Sequence, residues 1–340
     1  MTATAVETVD ITELTRVGSG LVRPECVLTH RSGLLFCSDW QGAGGVAIIL
    51  PDGRVRRLAI ADPSLALRPN GIALEAGGSF VLAHLGNETG GAYRLFPDGS
   101  VEPLIEQVAG VPLPPANFPL RDARGRLWLS VSTRKTPRAD DYRAAAASGF
   151  IVLQDERGTR IVADGLGYAN EFAFSADGRQ LFVNETFARR LSRFAVAEDG
   201  TLSDRQTVWR FGPGDYPDGL CLDAAGGLWV TSIVSNRVIR IEPDGTASRL
   251  ILEDSDAAHL AWTEAAYRAD AMGRPHLDRQ PAPVLRNISS LAFGGPNLDV
   301  AYLGCLLGEA LFRFEAPMRG LRPPHYDLDI TPLLETLDLS

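Results

Sequence analysis

Three side chains in this 340-residue sequence have the types and spacing for joint chemistry: Glu25, Asn170 and Asp218. Each opens a short segment of alternating apolar residues that reaches a glycine turn eight positions later: Gly33, Gly178 and Gly226. Asn70 (to Gly78), Asn117 (to Gly125) and Ser289 (to Asn297) repeat the arrangement. Two carboxylates and an amide oxygen carry a charge of −2. That set suits one hard divalent cation with positions left for water and substrate. Ca²⁺ is expected first, with Mg²⁺ and Mn²⁺ next. Zn²⁺ fits less well because it recruits His or Cys. Asp218, able to touch both cation and water, is the candidate general base. Glu185, at the end of a strand in "NET", is a candidate for the rim of the same pocket.

The elements that would hold these residues can be read from the pattern. After each polar residue comes an alternating strand, a turn and a second strand, as in FAF–SADG–QLFVNET and LCL–DAAGG–LWVTS. A third strand follows, then "PDG" or a relative at 51–53, 97–99, 198–200 and 243–245, then a fourth strand. Six such cycles of roughly 40–50 residues predict an all-β fold, a six-bladed β-propeller with short helical insertions, as one domain over 1–340. The first strand of every blade lines the central channel, so the polar residues would form a ring. The segment TELTRVGSGL (residues 12–21) is expected to pair into the last blade and close the circle. Trp128 and Trp229 recur at one blade position and read as core. His84 reads as a structural histidine.

Two segments interrupt the rhythm. Residues 134–148 read as a loop with a short helix ended by Gly149. Residues 252–286 read as a helical insert capped by Asp254, Ser255 or Asp256, with Glu264 and Arg268 paired, and ended by Gly273 and Pro275. Its Leu260, Ala261 and Trp262 are expected to cover the channel mouth or an oligomer contact.

A net charge of −9 and the lack of any Lys/Arg-rich run exclude nucleic-acid binding. Cys26, Cys37, Cys221 and Cys305 form no C-x-x-C pair and read as buried hydrophobes. The N-terminal MTATAVETVDITEL lacks a signal-like apolar core, and no stretch is long enough to span a membrane. A cytoplasmic protein with a small-molecule substrate, no nucleic-acid or membrane partner, and a possible homo-oligomeric state is the expectation.

The runs RPNGIALEAGGSFVLAH, ANFPLRDARGRLWLS, ANEFAFSADGRQLFVNET, YPDGLCLDAAGGLWV and SSLAFGGPNLDVAYLG cover most of the chain. They resemble the senescence-marker-protein/gluconolactonase/luciferin-regenerating-enzyme (regucalcin-like) family of six-bladed propeller lactonases. The resemblance implies that Glu25, Asn170 and Asp218 hold a divalent cation and that Asn117 lies near cation and substrate. The sequence departs from the family at Cys26-Val27 after Glu25, at Phe118 after Asn117, at Glu171 after Asn170, and at Pro115, where some sugar lactonases carry Arg. Phe118 and Glu171 therefore join Asn117 and Glu185 as candidate substrate contacts, and the mouth is expected to be less polar than a sugar site. The expected activity is metal-dependent opening of a lactone less polar than a simple sugar lactone. The alternatives are a hydrolase, lyase or isomerase for another small electrophile, and a non-catalytic calcium- or ligand-binding propeller.

Overall fold

The computed structural model describes residues 8–338. Residues 1–7, half of the N-terminal stretch read above, lie outside them. Six four-stranded antiparallel sheets follow one another around a ring. The innermost strands are Val27–Thr29, Pro69–Leu74, Ala116–Arg121, Ala169–Phe174, Asp215–Leu222 and Ile288–Gly294. Blade six takes its outer strand from the chain start. Thr15–Val17 pairs antiparallel with Leu311–Glu315, with Thr15 opposite Arg313. The expected closure is therefore present, and it covers the outer edge of Leu311–Glu315.

The local chemistry of the turns is uniform. In the four PDG-type turns, Asp52, Asp98, Asp199 and Asp244 each accept the backbone N–H two residues on, at 2.9–3.0 Å. Inside the blades, Trp128 and Trp229 are fully buried. Their indole N–H groups donate to Asp122 and Asp223 at 2.9 Å, and Arg126 and Arg240 reach the same carboxylates at 2.6 Å. One polar device thus pins two blades whose cores are otherwise apolar.

Both insertions fall at the end of the channel where the innermost strands begin, called here the upper end. The first contains a 3₁₀ turn at Arg138–Asp141. The second contains helix α1 (Ala257–Arg268), whose N-cap is Asp256, accepting from His259 N at 2.7 Å. Glu264 and Arg268 pair at 2.8 Å, as the spacing predicts. Two expectations are corrected. Gly273 and Pro275 do not end this helix but open a second one, α2 (Arg274–Asp278), with Gly273 as its cap. The inward face of α1 carries His259, Thr263 and Tyr267 with part of Leu260, whereas Ala261 is exposed and Trp262 lies against His276 at the surface. Spacing by four places His259, Thr263 and Tyr267 on one stripe, which adjacent Leu260–Trp262 cannot share. Among the described residues no helix is long and apolar enough to cross a membrane.

Candidate active site

Every innermost strand is irregular where its polar residue sits. Register shifts fall between Pro69 and Ile72, Ala116 and Phe118, Ala169 and Phe172, Pro217 and Leu220, and Ile288 and Ser290. In blade one the strand starts only at Val27, past Glu25. A bulge turns a side chain that would continue the alternation toward a new direction. The bulges also bring neighbouring backbones close. A Cβ on Gly219 would lie 2.6 Å from the Ser289 carbonyl oxygen and the Ser290 Cα, so only glycine fits after Asp218.

The freed backbone groups are fastened by a layer of buried small polar side chains. Ser38 Oγ accepts from Glu25 N at 3.1 Å, and Ser289 Oγ donates to the Glu25 carbonyl at 2.9 Å. Asn184 donates to the carbonyls of Asp218 and Gly219, both at 3.0 Å. Asn170 Nδ2 donates to Thr186 Oγ1 at 3.0 Å, and that hydroxyl donates to the Pro217 carbonyl at 2.8 Å. This last chain commits the Asn170 amide nitrogen and leaves its oxygen free.

The ring that results contains Glu25, Asn70, Asn117, Asn170, Asp218 and Ser289, all buried. Among the described residues, Glu25 Oε2, Asn117 Oδ1 and Asn170 Oδ1 have no hydrogen-bond partner. Glu25 Oε2 lies 3.0 Å from Arg23 Nη2, an ion-pair contact without hydrogen-bond alignment. Burial pushes the Asp218 carboxyl well above its usual range, the charges of Glu25 and Glu171 add to that, and Arg23 and the Asn170 amide oppose it. Buried oxygens without donors, beside two carboxylates that repel one another, are what a hard cation would satisfy. The donor set fits such an ion. It mixes carboxylates with amides: among the described residues no three His, Cys, Asp or Glu side chains form a metal-binding group.

The other candidates are placed differently. Glu171 lies one layer below the ring and accepts from Leu220 N at 2.9 Å. Burial raises its pKa to about 8, with Glu25 contributing. Phe118 packs edge-on against Phe172 at 5.3 Å. Phe118 and Glu171, with Cys26 and Ser290, line the inner end of a cavity of about 910 Å³ that opens at the lower end of the channel, opposite the insertions. Phe118 thus contributes apolar surface to the lower cavity. Glu185 has no exposure, and its oxygens are taken by Arg190 (2.6 Å), Arg205 (2.9 Å), Ser192 and the Gly167 N–H. It clamps blade four and has no oxygen left for a ligand. His84 accepts from Arg68 N at 3.0 Å, a structural contact.

The second insertion does lie over the upper mouth, but the residues that form the roof were not among the sequence candidates. Tyr142 and Ala146 from the first insertion and Tyr267, Met272 and Leu277 from the second join Tyr168, Phe187 and Tyr216 in one cluster at the upper end. Tyr142 stacks on Phe187 at 4.3 Å, and the Tyr267 hydroxyl donates to the Phe187 carbonyl at 2.5 Å. Arg189 ties blade four to α1 through Glu264 at 2.6 Å. Tyr168 and Tyr216 each stand two residues before a ring member, a spacing that was legible but unused.

The family pattern for the SMP-30/gluconolactonase/LRE-like region matches residues 23–267, which carry five of the six ring residues. This chain belongs to that family. A 6-deoxy-6-sulfogluconolactonase from Pseudomonas putida is 30% identical over 248 residues, 65% of this chain and 76% of that protein. A gluconolactonase structure from Xanthomonas campestris superposes with a TM-score of 0.64 at 22% identity, covering 89% of each chain. A calcium-binding regucalcin structure from Agrobacterium tumefaciens superposes with a TM-score of 0.63 at 16% identity, covering 92% of this chain and 97% of that one. The structural likenesses agree with the six-bladed fold, and family membership with lactonase relatives supports lactone hydrolysis by this chain.

Proposed function

We propose that the protein is a divalent-cation-dependent hydrolase that opens a lactone bearing fewer hydroxyls than a sugar lactone. The observation that carries the reading is the set of buried oxygens on Glu25, Asn117 and Asn170 that lack a hydrogen-bond partner among the described residues, beside Asp218. Glu25, Asn170 and Asp218 would hold the ion, Ca²⁺ ahead of Mg²⁺, Mn²⁺ or Zn²⁺. Bound there, it would polarise the lactone carbonyl and stabilise developing negative charge.

The chain's own residues do the rest. Asn117 Oδ1, free of partners, accepts a hydrogen bond from the substrate. Asp218 accepts the proton of the attacking water. The water oxygen bonds to the carbonyl carbon, the ring C–O bond breaks, and the proton passes to the departing alkoxide. A positive charge beside Asp218 brings its raised pKa down and makes it a base at neutral pH. Tyr142, Tyr168, Phe187 and Tyr216 limit water at the upper mouth and favour a substrate with apolar surface. A cytoplasmic location and a small-molecule partner belong to the same reading.

A panel of γ- and δ-lactones, followed by acid release with each cation in turn, tests it. A phosphotriester and open-chain esters serve as controls. Opening of lactones ahead of the controls is expected. Cation binding without turnover of any lactone would instead favour a binding propeller.

A further inference from the structure

The upper mouth carries cationic groups that the mechanism leaves unused. Several arginines of the two insertions and their surroundings are neutralised: Arg134 by Asp164 at 2.7 Å, Arg189 by Glu264 at 2.6 Å, and Arg274 by Asp278. Among the described residues, Arg138 and Arg143 have no such carboxylate, and the Nε of each is buried without a hydrogen-bond partner. A buried guanidinium donor without an acceptor is costly, and an arginine fork matches a carboxylate, sulfonate or phosphate. In a chain of net charge −9 the pair is not part of a general basic surface.

Arg138 is placed where a substrate would pass. Its Nη2 donates to Ser132 Oγ at 3.3 Å, one residue beyond Val131, which pairs with Ala116 next to Asn117. Its guanidinium carbon stands 5.5 Å from the Tyr168 ring centroid, two residues before Asn170. It therefore bridges the upper ends of blades three and four, flanking two members of the ring. Tyr142 packs edge-on against Tyr168 there, with ring centroids 5.5 Å apart. The 3₁₀ turn that carries Arg138 is anchored by Asp141, which accepts from Thr133 Oγ1 at 2.5 Å.

We propose that Arg138, with Ser132 and the Tyr142–Tyr168 pair, forms an anion subsite. It holds a carboxylate, sulfonate or phosphate that the substrate carries away from its reacting carbonyl. The lactone reading supplies the other end of the ligand; the subsite itself is tested without turnover. Calorimetry compares tetrahydrofuran-2-carboxylate with its neutral carboxamide on the full chain, with Ca²⁺ and again with EDTA. The wild type is expected to prefer the carboxylate about tenfold, as one charge-assisted contact warrants. Arg138→Met should bring the two affinities to within about twofold, and Arg138→Lys should restore part of the preference. Circular dichroism confirms that each variant is folded. A preference that survives Arg138→Met overturns the subsite. So does one that disappears with EDTA in the wild type, because the carboxylate would then be binding the cation. Failure of the carboxylate to bind also overturns it. If the lactone reading were wrong, no lactone would be opened, yet the Arg138-dependent preference would remain.

Discussion

At the scale of residues, the site is a problem of like charges. Glu25, Glu171 and Asp218 are buried together, and among the described residues Arg23 is the one cation in contact with them, at 3.0 Å from Glu25. Asp218→Asn keeps the shape, removes the proton acceptor and weakens the cation's hold. Turnover should fall about 10²–10⁴-fold with an unchanged melting temperature. Steady-state rates at saturating cation check this, and retention of more than roughly a tenth of the rate contradicts the base role. Glu171 makes a second prediction. Its folded pKa of about 8 exceeds the ordinary value of 4.5, so between those pH values the folded chain holds a proton that the unfolded chain has lost. Stability of the EDTA-treated protein should therefore fall as pH rises across that window. Glu171→Gln should flatten the decline, and parallel melting profiles for wild type and variant would show that another group governs it.

At the scale of elements, the hairpin rhythm, the PDG turns and the closing strand were legible because each rests on local chemistry: period-two alternation, an Asp that caps a turn, a Gly at positive φ. The bulges that aim Asn117, Asn170 and Asp218 were not legible. They arise from close approach between neighbouring blades, as at Gly219 and Ser289, which no local pattern encodes. The helix stripe was misread for a related reason. Hydrophobicity pointed to Leu260 and Trp262, but burial selected His259, Thr263 and Tyr267, the last of which packs edge-on against Tyr216 of blade five at 5.5 Å. Glu185 was misassigned because strand pairing within its own blade brings Arg190 and Arg205 onto its carboxylate. The roof gives a prediction of its own. Replacing residues 256–282 with a short Gly/Ser loop removes Tyr267 and Glu264 from the upper mouth. KM should rise several-fold while cation affinity, measured by calorimetry, stays within about twofold. A lower melting temperature with unaltered kinetic constants would assign the insertion to stability or to a subunit contact.

At the scale of the whole molecule, six blades converge so that residues from 25 to 289 in the sequence share one channel. The ring divides that channel into a roofed upper mouth and a lower cavity of about 910 Å³. The sequence repeats marked the ring positions, whereas the lower cavity and the cationic upper rim depend on side chains brought together from different blades and insertions. All of this bears on one claim, that the converging oxygens hold a cation on which lactone opening depends. The most direct measurement is the rate of lactone opening by protein dialysed exhaustively against EDTA, with residual metal determined by elemental analysis, and then titrated with Ca²⁺. The account predicts a rate indistinguishable from buffer in the metal-free protein and saturable recovery at one ion per chain. An undiminished rate in metal-free protein would contradict it.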